Sequence, residues 1–154
     1  PGIAWWPGKI AAGSVQHEQA STLDIYPTAA KLAGADLPAD RTYDGTDIAP
    51  LLLGSGTITR PEAFLYYRGT TLYAARLGAW KAHFVTQPAY GSEKPESHDP
   101  AWLFNVVEDP GERFEVGSQN PEIVARIKAS ADRVAATIQP VPTQLEAVVD
   151  VPAK

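Results

Sequence analysis

The 154-residue sequence contains no cysteine and no methionine. Without cysteine there is no disulfide framework, no thiolate zinc site and no Cys nucleophile in the chain. That absence leaves the compartment open, because a periplasmic protein can also lack cysteine. No apolar run approaches the roughly 20 residues of a membrane span, and no signal peptide is visible. An encoded chain normally begins with Met, whereas this one begins at Pro1. The expectation is a cut product or a partial reading, whose removed part could have carried a signal. Positive charge is also scarce: 13 Lys+Arg stand against 18 Asp+Glu, for a net charge of -5. With no basic stripe interleaved with aromatics, this balance argues against nucleic acid as the main partner. No Gly-x-Ser-x-Gly elbow, phosphate-binding glycine loop or internal repeat occurs.

What is present is ordinary for a soluble globular chain, 44% hydrophobic and 20% charged. Ile3 to Trp6 is a continuous apolar run bounded by Gly2 and Pro7, a pattern expected of a strand buried on both faces. Its partner strands are expected upstream, since none lies nearby in the sequence. Ser21 and Thr22 are helix N-cap candidates and Gly34 a C′ residue. Leu23, Tyr26, Ala30 and Ala33 recur on one helical face. Pro27 requires either a helix starting near Tyr26 or two short turns meeting there. Leu37 to Gly45 reads as a loop, and Ile48 to Leu53 as a short apolar turn.

From Phe64 the pattern becomes β-like: Phe64 to Tyr67, Leu72 to Leu77, Trp80 to Thr86 and Trp102 to Val107. Gly78-Ala79 suits a two-residue hairpin turn. A small antiparallel sheet with one buried face is predicted. Gln87 to Pro100 reads as a long polar loop. Asp109-Pro110-Gly111 is turn chemistry, and Asn120-Pro121 opens a helix carrying the stripe Ile123, Ile127, Val134 and Ile138. The tail after Pro140 is expected to be extended.

Candidate chemistry is sparse. No two of His17, His83 and His98 have helical metal-ligand spacing, so structural roles are favoured for each. Asp44-Gly45-Thr46-Asp47 begins like a calcium loop, but Ser55 stands where that loop needs Glu, and an Asx turn is the better reading. Lys81 and His83 share one strand face and lead into a loop with Gln87, Tyr90 and His98. Such a cationic pair could contact an anionic substrate. The alternative is a solvated strand face with a hydrogen-bonded His.

Taken in order, the motifs resemble those of the arylsulfatases, near arylsulfatase A and N-acetylgalactosamine-6-sulfatase. Pro1-Gly-Ile-Ala-Trp-Trp-Pro-Gly-Lys-Ile10 is similar to the family's last core strand and exit turn. Ala20 to Thr28, closing at Leu32-Ala-Gly34, resembles the helix that follows. Tyr43-Asp-Gly-Thr-Asp-Ile-Ala-Pro-Leu-Leu-Leu-Gly54 resembles its DG-x-D-x-x-P-L-L-x-G segment. Tyr66-Tyr-Arg-Gly69, Ala75 to Phe84 and Thr86-Gln87 resemble the C-terminal hairpin. Leu103-Phe-Asn and Glu108-Asp-Pro-Gly-Glu-Arg113 resemble the stretch before the last helix.

The resemblance implies an α/β, alkaline-phosphatase-like sulfatase fold, of which this chain is the C-terminal part. Residues 1–60 would end the large α/β domain with its last core strand and helix. Residues 61–139 would form a small antiparallel sheet with a packed C-terminal helix, and 140–154 an extended tail. The implied activity is sulfate-ester hydrolysis by a formylglycine nucleophile and a calcium ion. The chain has no Cys/Ser-x-Pro-x-Arg sequence and no Asp-Asp or Asp-Asn pair, so no catalytic residue or metal ligand is assigned within it. Lys81, His83, Gln87, Tyr90 and His98 are the candidate substrate-lining residues. Calcium is expected only in the complete enzyme. The expected partners are the N-terminal catalytic portion and a sulfate-ester substrate, with neither nucleic acid nor membrane. A periplasmic or secreted location is what the resemblance implies. Two alternatives stay open: a glycan-binding module using Arg76, Lys81 and His83, and part of a phosphate or phosphonate ester hydrolase.

Overall fold

A computed structural model of the chain describes residues 2–60, 62–88, 93–139 and 141. The chain divides into two compact units, Pro1–Arg60 and Pro61–Lys154.

The first unit is organised by one buried carboxylate. Ser21 caps a 3-10 turn, Thr22–Asp24, which runs directly into helix α1, Ile25–Leu32. Pro27 thereby falls in the first turn of α1, where its missing N–H costs nothing. Gly34, with φ of 69°, ends the helix, and Ala35 N–H donates back to Ala30 O at 2.9 Å, a Schellman closure.

The Asp24 side chain is fully buried. It accepts from Ser21 N–H at 2.6 Å, from Thr46 N–H at 2.8 Å and from the Arg60 guanidinium at 2.7 Å. One turn on, the Thr28 hydroxyl donates to Asp24 O at 2.6 Å and accepts from Ile48 N–H at 2.9 Å. The segment at 45–48 is thus bonded to the start of α1. Gly45 permits the approach, because a Cβ there would lie 2.0 Å from Leu23 O. Asp47 then closes an Asx turn ahead of helix α2, Ala49–Leu52, by accepting from Ala49 N–H at 2.8 Å. The Asp-Gly-Thr-Asp sequence therefore makes turn contacts, as the Asx-turn reading expects.

Ile3 to Trp6 forms no strand. Ile3 is 101% and Trp5 85% exposed. A strand needs a hydrogen-bonded neighbour, and no described segment pairs with this run.

The second unit is a four-stranded antiparallel sheet in the order β1-β2-β3-β4, with helix α3 packed on one face. The strands are β1, Phe64–Arg68; β2, Thr71–Leu77; β3, Trp80–Thr86; and β4, Glu96–Asn105. Gly78, with φ of 62°, makes the predicted two-residue turn between β2 and β3. Leu65, Ala75, Ala82 and Leu103 lie in one register row across the sheet. Ala75, Ala82 and Leu103 are fully buried together with Ile127 and Ala131 of α3, Pro121–Ala135. The alanines let the helix lie close to the sheet. On α3, Ser130 takes a place in the buried face that apolar periodicity did not flag. Its hydroxyl accepts from Ala63 N–H at 2.8 Å and donates to Glu62, joining the helix to the approach to β1. Ile138, expected on the helical stripe, lies beyond the helix and is 38% exposed.

β4 is longer than the predicted Trp102 to Val107 strand, and the polar loop is correspondingly shorter. Ser97 pairs with Val85 and Trp102 with His83, so residues 98–101 bulge opposite Phe84 alone. The outer edge of β4 is closed by the chain that follows it. Leu103 N–H donates to Glu115 Oε1 at 3.0 Å, and Leu103 O accepts from Val116 N–H at 2.9 Å. Covering an edge in this way prevents further strand pairing. The expected tail, 140–154, lies outside the described residues apart from Val141.

Two expectations follow. Asp24→Ala leaves the Arg60 guanidinium, 16% exposed, without its carboxylate; it should cost about 3–5 kcal/mol. Faster amide exchange at Ser21 and Thr46 than in the parent reads this locally. Leu103→Ala should cost about 2–5 kcal/mol in urea unfolding, because it opens a cavity between sheet and helix.

Candidate functional site

Strand alternation puts Lys81, His83, Trp102 and Phe104 on the sheet face opposite α3. Lys81 and His83 are brought together, as the sequence predicts, but by a residue it did not single out. Glu112 Oε1 accepts from Lys81 Nζ at 2.6 Å, and its Oε2 contacts His83 Nε2 at 2.8 Å. The His83 ring meets the Phe104 ring edge-on, with centroids 5.6 Å apart. Lys81 Nζ lies 5.0 Å from the centre of the Tyr66 ring.

The turn Asp109-Pro110-Gly111 aims Glu112 at this face. The Asp109 carboxylate accepts from Arg113 N–H at 2.6 Å and Phe114 N–H at 2.8 Å. Glu112 N–H donates to Asp109 O at 3.1 Å. Glu112 has φ of 50°, the left-handed region, and is the one non-glycine residue so placed among the described residues. That backbone costs on the order of 1–3 kcal/mol. The charge-assisted bonds to Lys81 and His83 hold it there.

Electrostatics fixes the protonation state. Burial alone would raise the Glu112 carboxyl, but Lys81 and His83 outweigh it and hold it below its ordinary value. Burial of His83, reinforced by the Lys81 charge, holds the imidazole below its ordinary value of 6.5 despite Glu112. His83 is therefore neutral at pH 7, and against a carboxylate its Nε2 must carry the proton. The group reads as Lys81⁺, Glu112⁻ and neutral His83. It has no net positive charge and is hydrogen-bonded within itself.

The other candidates lie apart from this group. Gln87 Oε1 accepts from Tyr73 O–H at 2.9 Å, and its Nε2 donates to Glu93 O at 2.8 Å, so Gln87 braces the segment after β3. His98 Nε2 pairs with Thr86 Oγ1 at 2.8 Å, and its ring stacks on Trp102 at 3.8 Å and 20°. Tyr90 lies outside the described residues. Among the described residues no three His, Asp or Glu side chains are placed to hold a metal ion. Glu112, Glu115 and Asp24 were missed because each also holds partners 12 or more residues away. The turn signal at Asp109 to Gly111 and the Glu108 to Arg113 motif contained or adjoined Glu112 without assigning it a partner.

The titration of His83 tests this arrangement. Lys81→Met removes a depressing charge and should raise the His83 pKa. Glu112→Gln removes the group that raises it and should lower it. Imidazole NMR titration reads both. The depressed His83 value means that the unfolded chain takes up the proton first. Its contribution to stability is thus complete above pH 6.5 and lost as pH falls below it. The Glu112 contribution is present above about its ordinary value of 4.5 and lost as pH falls through its lower folded value.

Residues 59–153 match the family model described as the C-terminal region of aryl-sulfatase. Bovine arylsulfatase A is 43% identical over 149 aligned positions, covering 83% of this chain and 29% of that protein. Human N-acetylgalactosamine-6-sulfatase is 35% identical, covering 94% of this chain and 32% of its own length. Among solved structures, the PsFucS1 sulfatase from Pseudoalteromonas sp. superposes with a TM-score of 0.73 at 25% identity, over 91% of this chain and 30% of that one. The chain thus spans less than a third of each of these relatives. It belongs to the aryl-sulfatase family, matching that family's C-terminal region.

Proposed function

We propose that this chain is the C-terminal portion of a sulfate-ester hydrolase, and that it completes the fold and forms one wall of the substrate pocket. The observation that carries the reading is the family match over residues 59–153, which includes the whole sheet and α3. In this proposal the formylglycine nucleophile and the calcium ion are held by residues outside the chain. The sequence has no cysteine and no Ser followed by Pro-x-Arg at the family's spacing. Among the described residues no three His, Asp or Glu side chains are placed together to hold calcium, so the donor set does not fit it.

The chain's own residues would then bind and orient. Gln87, held between Tyr73 and Glu93, and the adjoining segment with Tyr90 would line the pocket rim. Lys81, His83 and Glu112 would stand behind them as a fixed, neutral brace. The glycan-module alternative gains nothing from this geometry, because two of its three contacts, Lys81 and His83, are bonded to Glu112. The exposed Ile3, Trp5 and Trp6 are the surface on which the catalytic portion would seat, since exposed apolar area of this kind favours association. No described helix is long and apolar enough to cross a membrane. A periplasmic or secreted location accords with the reading.

The test is turnover of an aryl sulfate. The purified 154-residue chain should show none, while a longer form carrying the catalytic portion should hydrolyse it. Activity from a verified pure sample of the chain alone would overturn the proposal. In the longer form, Gln87→Ala should raise KM with kcat little changed, the pattern of lost uniform binding.

A further inference from the structure

The segment that returns from β4 toward α3 is held down by carboxylates more than by packing. Val107, Glu108, Arg113, Phe114 and Glu115 are exposed, Phe114 at 65%. Of this stretch, Val116 packs against the core and is partly buried. A segment with few buried apolar contacts opens at a lower free energy than the core it lies on. What it covers is the outer edge of β4, where the N–H and C=O of Leu103 would otherwise be open to another strand.

The polar contacts fall into two groups. Asp109 shapes the turn inside the segment, accepting from Arg113 N–H at 2.6 Å and Phe114 N–H at 2.8 Å. Glu112 and Glu115 tie the segment to the sheet. Glu112 accepts from Lys81 Nζ at 2.6 Å and His83 Nε2 at 2.8 Å, both on β3. Glu115 Oε1 accepts from Leu103 N–H of β4 at 3.0 Å and from Gly117 N–H at 2.5 Å. A backbone bond from Val116 N–H to Leu103 O, 2.9 Å, completes the closure. Both side-chain ties accept as anions, and a protonated carboxyl loses the charge assistance that makes such bonds roughly twice as strong as neutral ones. The left-handed backbone at Glu112, with φ of 50°, is a standing cost that its two bonds must exceed.

We propose that residues 109–116 form an acid-released strap: a solvent proton on the Glu112 carboxylate frees the turn from β3, and the strap lifts off the edge of β4 while sheet and α3 stay folded. The groups that act on Glu112 come from three strands and from the strap itself. They are Lys81 and His83 on β3, Tyr66 of β1 beside Lys81 at 5.0 Å, and His98 of β4, whose charge acts on His83. On the strap, Arg113 Nε lies 3.8 Å from Asp109 Oδ1. Burial raises the Glu112 carboxyl, but Lys81 and His83 outweigh it and hold it below 4.5. In the lifted strap those partners are gone and the ordinary value returns. The tie is therefore complete above about 4.5 and lost as pH falls through the lower folded value. A proton on His83, opposed by burial and by Lys81, puts a second cation beside Glu112 and does not release it.

The test is amide hydrogen exchange of the 154-residue chain by NMR, from about pH 7 to about pH 3.5, each rate divided by that of an unstructured peptide at the same pH. Leu103 protection should fall about tenfold or more, with a midpoint below 4.5. Ala82, fully buried and opposite Ala75 within the sheet, should keep its protection to within about threefold. Glu112→Gln should lower Leu103 protection about tenfold already at pH 7. Glu112 does not touch Leu103, so that loss reads the lifting of the whole strap. A dispersed amide spectrum and parental Ala82 protection verify that the variant is folded. Leu103 and Ala82 losing protection together, a midpoint near the 6.5 of an ordinary His, or parental Leu103 protection in Glu112→Gln would each overturn the proposal. None of these outcomes bears on sulfate-ester turnover, which is measured separately.

Discussion

The larger unit depends on the backbone of Leu103. Its side chain is fully buried between sheet and helix. Its N–H and C=O point away from β3, toward an edge that would otherwise have no partner. Glu115 and Val116 satisfy both groups. A buried strand with unpaired polar groups would lose on the order of 1–3 kcal/mol per group. The chain after β4 therefore has to double back at that point, and the Asp109 turn is the device that reverses it. Once the reversal is fixed, Glu112 necessarily passes over the exposed sheet face, where Lys81 and His83 meet it. The edge closure and the ion-paired brace are consequences of one return of the chain.

A second regularity is the use of carboxylates as internal anchors. Asp24 gathers two backbone N–H groups and a guanidinium. Asp109 gathers two N–H groups, Glu115 two more, and Glu112 an ammonium and an imidazole. Much of the acidic excess visible in composition is therefore committed to holding loops. The net charge of -5 is unchanged by this, because each ion-paired carboxylate takes a cation already counted with it. Charge arithmetic describes the solvent-facing field, not the local one.

Local signals were legible where the chain makes its own partners. Gly78-Ala79 set the β2–β3 hairpin, and Asn120-Pro121 set the start of α3. The alternation of Trp80, Ala82 and Phe84 with Lys81, His83 and Val85 assigned the two faces of β3 correctly. What failed to read was non-local. Pro100 and the polar run at 96–99 hid the first half of β4, because its pairing with Val85 and Thr86 tolerates a four-residue excursion. The apolar run at Ile3 to Trp6 reads as a strand on composition, but a strand is a relation between segments. Lys81 and His83 were found by spacing, while Glu112, 29 residues beyond His83, could be found only through the fold.

In the proposed role as a pocket wall, the brace would supply a fixed surface without catalytic groups. A free Lys–His pair on a strand would be mobile and would attract any anion. Bonded to Glu112, it becomes neutral and positionally fixed, and it transfers rigidity to the adjoining end of β3. From there Thr86 reaches His98 and Gln87 reaches Glu93, so the segments on either side of residues 89–92 are tied to the same strand. The long-range order of this unit is spent on holding side chains in place, in a chain that matches the C-terminal region of a longer enzyme family.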